Sequence, residues 1–344
     1  MGDKAGSRRW RVALAAVVLL IGVAAAGYFV FYLPHVRAHD TQAQATRFLM
    51  DTSVDISAYG RDAETHVKRA RGEMERLEEV LSRHIVESEL ARINANAGDW
   101  VSISDDTLAV ISLALQIGDM TEGAFDITVG NLVSLWGFGT GSYKVPSEEE
   151  IAAALATVDY GKVELDKTGK RVRIPAGTVL DLGGIAKGYI VDQARSYLMK
   201  QRIQRAIVNA GGDISVIGSR PDGNPWRVGV QNPNDPSQIS WVIPLQNNSV
   251  VTSGDYQRFF IQDGQRWHHI LDPRTGYPAR ELKSVTIVAQ TAAEGDALST
   301  AVFVLGWEKG RELVERLPGV EGILVGSDNQ VWISSGLAES VVTL

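Results

Sequence analysis

The chain has 344 residues, 44% of them hydrophobic and 22% charged, which is the composition of ordinary globular protein. Beyond the first forty, about 300 residues remain, enough for one large domain or two fused lobes. A net charge of -7, with no basic run past the N-terminus, argues against sequence-independent nucleic-acid binding. The chain contains no cysteine, which excludes disulfides, thiolate metal sites, a cysteine nucleophile and a lipid-modified cysteine anchor.

Residues 1–11 carry Lys4, Arg8, Arg9 and Arg11 against one acid, Asp3. Val12 to Leu33 then runs 22 residues without a charge. At a helical rise this spans about 33 Å, a full hydrocarbon core. The basic flank places the N-terminal end in the cytoplasm. The expectation is a single-pass anchor in the inner (cytoplasmic) membrane, with the rest of the chain on the periplasmic or other extracytoplasmic side. A cleaved signal peptide ending near Ala24-Ala25-Ala26 is one alternative, but the run continues through Tyr28 to Tyr32, as an interfacial aromatic belt does; a buried helix of a soluble protein is the remaining and weakest one. Residues 34–46 read as a polar linker and 47–344 as the main domain.

Phe48 to Tyr59 alternates like one strand. Thr65 to Ile85 reads as a charged amphipathic helix with Val67, Met74, Leu77, Val80 and Leu81 on one side. Ser88 to Asn94 reads as a short helix, and Ser104-Asp105-Asp106 can cap another over Thr107 to Thr121. Pro146 to Glu150 opens a helix reaching about Ala156. Lys162 to Val172 alternates as a hairpin. Thr178 to Leu182 is bounded like a strand, followed by Gly183-Gly184 and a helical pattern over Ile185 to Met199. Further on come strand, Gly-Gly turn and strand over Ala206 to Val216, then strands at Trp226–Gln231, Trp241–Leu245 and Val250–Ser253. A hairpin is expected about Asp263-Gly264, a strand over Ser284–Ala289, a helix over Ala292–Leu305 and a last hairpin about Ser327-Asp328-Asn329. Antiparallel hairpins with separate helices give an α+β fold.

Three stretches could carry chemistry. Val179 to Tyr189 joins a glycine turn to a helix N-terminus, where free N–H groups suit a phosphate, although an unliganded turn fits equally well. Asp296 and Thr300 stand four apart, so a helix would place both oxygens on one face. Hard oxygens suit Mg²⁺. Taken alone, the spacing reads more readily as capping by Asp296. His268 to Pro278 combines two imidazoles, Asp272 and Arg274 about a Pro/Gly turn. A histidine can serve as base near neutral pH. Arg274 could pair with Asp272 in a salt-bridged turn or with a phosphate. In extended chain His268 and His269 face opposite ways, so one at most faces a given site.

The chain resembles the FAD:protein FMN transferase (ApbE) family from about Phe48 to Gly326. The resemblance rests on Gly123-Ala124-Phe125-Asp126 with Trp136-Gly137-Phe138-Gly139, on Asp181 to Gly188, Asn209 to Asp213, Thr252 to Tyr256, His269 to Gly276 and Asp296 to Thr300. It implies an exported, membrane-attached, Mg²⁺-dependent transferase that moves FMN from its substrate FAD to a threonine of a partner protein, releasing AMP. It implies FAD contacts at Asp181, Lys187, Met50, Ala124, Phe125, Asp126 and Ile270, and a magnesium site of the Gly184 carbonyl, Asp296 and Thr300. His269 matches the base proposed for the incoming hydroxyl. Asp51 replaces the usual glycine after Met50, and His84 falls where an aromatic residue usually stacks on the flavin. Hydrolysis of FAD to FMN and AMP, or a non-catalytic flavin carrier, are the competing readings. The nearest internal match to the family's acceptor motif is Val251 to Asp255, which ends in an acid and has no upstream Asp at the right distance. No stable self-flavinylation is therefore expected. The acceptor is expected to be a separate redox protein with a threonine flavinylation motif, of the electron-transfer-subunit type.

Overall fold

The computed structural model describes residues 41–344. Its helices in chain order are α1 (Ala63–Leu81), α2 (Glu89–Ala95), α3 (Asp105–Met120), α4 (Gly130–Leu135), α5 (Glu148–Leu155), α6 (Ala186–Lys200) and α7 (Ala292–Arg316). The strands are β1 (Gln42–Leu49), β2 (Thr52–Tyr59), β3 (Val101–Ser102), β4 (Glu164–Asp166), β5 (Arg171–Arg173), β6 (Arg205–Ala210), β7 (Asp213–Ile217) and β8 (Trp226–Asn232). They continue as β9 (Asp235–Leu245), β10 (Ser249–Gly254), β11 (Phe259–Gln262), β12 (Gln265–His268), β13 (Leu282–Ala289), β14 (Glu321–Gly326), β15 (Val331–Ile333) and β16 (Val342–Thr343).

The main sheet runs β1-β2-β6-β7-β10-β13-β14-β15, with every strand pair antiparallel. Adjacent residues of a strand point to opposite faces. Val251 accordingly joins the core beneath α1, α6 and α7, while Val250 joins a second core beneath β8, β9 and β16. The sheet is thus covered by helices on one side and by a small sheet on the other. On α1 the helical spacing of Val67, Ala70, Met74, Leu77 and Leu81 buries all five. Each large side chain so buried contributes about 1.5–3 kcal/mol. The fold is α+β, as the pattern of hairpins and helices implied.

Local side-chain signals placed the helix starts well. Ser88, Ser104 and Ser147 accept the N–H of Ala91, Thr107 and Glu150, giving first-turn donors the partner they lack. Elsewhere the structure departs from the pattern. Phe48 to Tyr59 is not one strand, because Met50 and Asp51 both turn left-handed, at φ 53° and 57°. That is the two-residue turn whose twist suits a tight hairpin. The partner strand β1 starts at Gln42, inside the stretch that reads as linker. Thr178 to Leu182 is extended but makes only a single bridge, Val179 to Val129. Its backbone is held instead by the Asn94 side chain, which bonds both the N–H and the carbonyl of Leu180. Helix α7 runs past Leu305 to Arg316, broken at Gly306, whose φ is 81°. There the Glu281 carboxylate takes the N–H of Trp307 at 2.9 Å, an intrusion that only a residue without Cβ permits. Among residues 41–344 no helix is long and apolar enough to cross a membrane. The expected anchor, 12–33, lies outside the described residues.

Helices α6 and α7 fix one another. The Asp192 carboxylate of α6 accepts the N–H groups of Ala292 and Ala293, both at 2.8 Å, and so caps α7. Burial pushes that carboxyl up to about 6. In return Asp296 of α7 accepts the N–H of Gly188 at 3.0 Å, in the first turn of α6, whose own N-cap Ile185 has no acceptor. The helices meet so closely that a Cβ on Gly188 would fall inside the van der Waals radius of the Ala292 carbonyl. Gly188→Ala is therefore expected to lower the chemical-denaturation midpoint, by a stability loss of about 1–3 kcal/mol, although alanine is the better helix former. An unchanged midpoint would contradict this contact.

Candidate active site

The reciprocal capping of α6 and α7 brings the glycine turn, Lys187 and Asp296 to one place. Lys187 pairs with Asp213, a fully buried aspartate at the start of β7. Burial works against the Lys187 ammonium, but the carboxylates of Asp213 and Asp296 more than offset it and hold its pKa up. Burial and the facing Asp296 charge push Asp213 up, and burial likewise raises Asp296. Two carboxylates thus converge on one ammonium in a nearly closed space, an arrangement that favours a further cation.

The donor set there fits a hard divalent ion. One Asp296 oxygen is engaged with Gly188, while Thr300, one turn on, makes no side-chain hydrogen bond among the described residues. Gly184 lies against them: a Cβ on it would stand 3.4 Å from Thr300 Oγ1 and 3.1 Å from the Phe125 ring. Carboxylate, hydroxyl and backbone carbonyl are the oxygen ligands Mg²⁺ takes. No cluster of three or more His, Cys, Asp or Glu suited to a metal occurs among the described residues. An ion at this place would depend on hydroxyl, carbonyl and substrate oxygens as well as on Asp296.

His269 follows β12, and its neighbour His268 faces the other way, as the alternation requires. His268 is buried, bonds the Ala279 carbonyl at 2.7 Å and meets the Phe303 ring edge-on. Burial brings its pKa down to about 4. Its replacement would leave a cavity and a lost hydrogen bond, so His268→Ala is not a mild substitution. The His269 ring stands edge-on to Phe138, with Nδ1 at 3.2 Å from the Arg258 carbonyl. A carbonyl only accepts, so Nδ1 carries the proton and Nε2 is left with its lone pair. Burial first, then the Arg258 charge, bring the imidazole down to about 3, which keeps it unprotonated at neutral pH.

The other residues singled out from the sequence fall at varied distances from this centre. Asp181 is spoken for: one oxygen accepts the Gly183 N–H at 2.7 Å and the other pairs with Arg83 at 3.1 Å. Arg83 also bonds the Gly130 carbonyl, which ties the turn to the start of α4, and its neighbour His84 is exposed beside Gly139. Ala124, Phe125 and Ile270 are buried in the main core. The Asp126 carboxylate turns away, accepting from Thr128 and the Tyr160 N–H, so it holds a loop together. Met50 gives its N–H to Glu78 at 2.7 Å. Its hairpin turn meets the Gly211 turn before Asp213 through Thr52. Arg274 is forked onto Asp272, with two contacts of 2.8 Å, in a salt-bridged turn. Thr252 lies within β10, half-buried and bonded to Thr286 at 2.8 Å, in keeping with a structural role for that segment. Sequence reasoning did not single out Arg83, Asp213 or Arg258. Asp213 had a signal, an acid directly after Gly-Gly amid apolar strand residues, whereas the other two are lone arginines outside any pattern.

The sequence matches the ApbE family over residues 50–324. A protein of Klebsiella pneumoniae (strain 342) named FAD:protein FMN transferase is 36% identical over 291 residues, 83% of this chain and 90% of that one. One of the same name from Treponema pallidum (strain Nichols) is 33% identical, over 97% of this chain and 96% of its own. Among solved structures, the ApbE protein of Thermotoga maritima superposes with a TM-score of 0.82 at 37% identity, covering 87% of this chain and 99% of that one. The flavin transferase ApbE from Vibrio cholerae gives 0.79 at 31%, with the same coverage. The chain belongs to the ApbE family, the FAD:protein FMN transferases.

Proposed function

We propose that this chain transfers FMN from FAD to a threonine hydroxyl of a separate acceptor protein, in a Mg²⁺-dependent reaction that releases AMP. The observation that carries the reading is His269: a neutral imidazole, its Nδ1–H fixed on a backbone carbonyl, within reach of the Lys187 charge. A flavin carrier needs no such base.

The chemistry balances with the groups present. The threonine hydroxyl gives its proton to His269 Nε2 while its oxygen bonds to the phosphorus of the FMN half. The bond from that phosphorus to the bridging oxygen breaks, and AMP departs with the electron pair. Lys187, held by Asp213, presents positive charge to the phosphate oxygens. Asp296, Thr300 and the Gly184 carbonyl would hold Mg²⁺, which when bound neutralises charge on the pyrophosphate. The acceptor is read as an electron-transfer subunit, and residues 12–33 as the anchor that keeps the domain at the outer face of the membrane.

Mass spectrometry of a candidate acceptor, incubated with this protein, FAD and Mg²⁺, tests the reading. A threonine carrying FMN, with AMP in equal amount, is the expected result. Free FMN and AMP with an unmodified acceptor would replace it with FAD hydrolysis.

A further inference from the structure

Arg258 belongs to no motif and is assigned no part in the reaction as written. It precedes the β11–β12 hairpin, whose register pairs Phe259 with His268. The next pair outward is Arg258 with His269, and the His269 N–H does reach the Arg258 carbonyl at 3.1 Å. Residues opposite one another in an antiparallel pair carry their side chains on the same face, with Cβ atoms about 5 Å apart. The Arg258 side chain therefore leaves the backbone beside the His269 imidazole. Its charge bears on both His269 and Lys187, lowering the pKa of each. Among the described residues its guanidinium has neither an ion-pair partner nor a hydrogen bond, and the residue is exposed. Nearby Arg266, by contrast, is paired with Asp255 at 3.3 Å.

Two cations whose fields overlap across a site draw an anion between them. The Lys187 ammonium is already engaged by Asp213. A dinucleotide pyrophosphate brings two negative charges, and a guanidinium fork matches phosphate oxygens well. Resting on the transferase reading above, we propose that Arg258 binds the pyrophosphate of FAD directly, across the site from Lys187.

Fluorescence titration of the full, detergent-solubilised chain with FAD and with riboflavin tests this, in EDTA so that FAD is not consumed. Arg258→Gln is expected to weaken FAD binding roughly 10- to 100-fold, the range of a lost charged hydrogen bond, and to leave riboflavin binding unchanged. Arg258→Lys should recover part of the FAD affinity, because it restores the charge without the fork. Unchanged FAD affinity in Arg258→Gln would overturn the assignment. So would an equal loss for FAD and riboflavin, which would make Arg258 a support for the hairpin. A wild-type chain that binds FAD neither in EDTA nor with Mg²⁺ would overturn the transferase reading itself, and that is read before any variant is compared.

Discussion

Replacing His269 with alanine is expected to lower FMN transfer roughly 10²- to 10⁴-fold, the loss that follows removal of a general base. FAD affinity should change little, because the ring's fixed contacts are the Arg258 carbonyl and the edge of Phe138, both within the protein. The fold should survive, since His269 is only half-buried and its hairpin is held by the four-residue register of β11 and β12. The measurement is transfer rate beside FAD titration on the same preparation. A parallel collapse of binding and transfer would make His269 a binding residue. His268→Ala does not serve as the comparison, because its ring is buried and hydrogen-bonded.

Asp296 should show the other large loss. Asp296→Asn keeps an oxygen for the Gly188 N–H and removes the charge. Several kcal/mol of charge stabilisation would go with it, so transfer should fall by roughly 100-fold or more. Asp296→Ala should add a loss of about 0.5–2 kcal/mol in stability, the usual cost of removing a helix cap. Transfer by Asp296→Asn at the wild-type rate across a magnesium titration would sink the metal assignment.

The double duty of Asp296 shows what was legible in the sequence. The Asp296–Thr300 spacing gave the shared helix face, because four residues is nearly one turn. It could not show that Asp296 caps a different helix, since that depends on the close approach at Gly188, more than a hundred residues away in the chain. Helix starts at Ser88, Ser104 and Ser147 were readable because the cap and its donor lie three residues apart. The β1–β2 turn was hidden: Met50 and Asp51 take left-handed conformations without a glycine, so alternation ran unbroken across it. Thr178 to Leu182 looked like a strand because it is apolar and buried in part, yet strand identity needs a partner, and the Asn94 amide takes that place. Arg83 and Arg258 are intelligible only in three dimensions, where one spans Asp181 and Gly130 and the other stands opposite His269.

The break at Gly306 divides α7 into a part that carries Asp296 and Thr300 and a part that begins again under Glu281. The second part leans on Trp307 and Trp332, with the Arg311 guanidinium 5.6 and 5.7 Å from their rings, at the far edge of the main sheet. A continuous helix transmits fraying from its end inward, whereas one interrupted by a foreign cap stops it there. The segment after Gly306 can therefore open and close as its own cooperative unit while Asp296 stays seated against Gly188. Amide exchange should separate the two, with Trp307–Arg316 exchanging at a lower opening free energy than Asp296–Val304. A single opening energy along all of α7 would mean the two parts move as one.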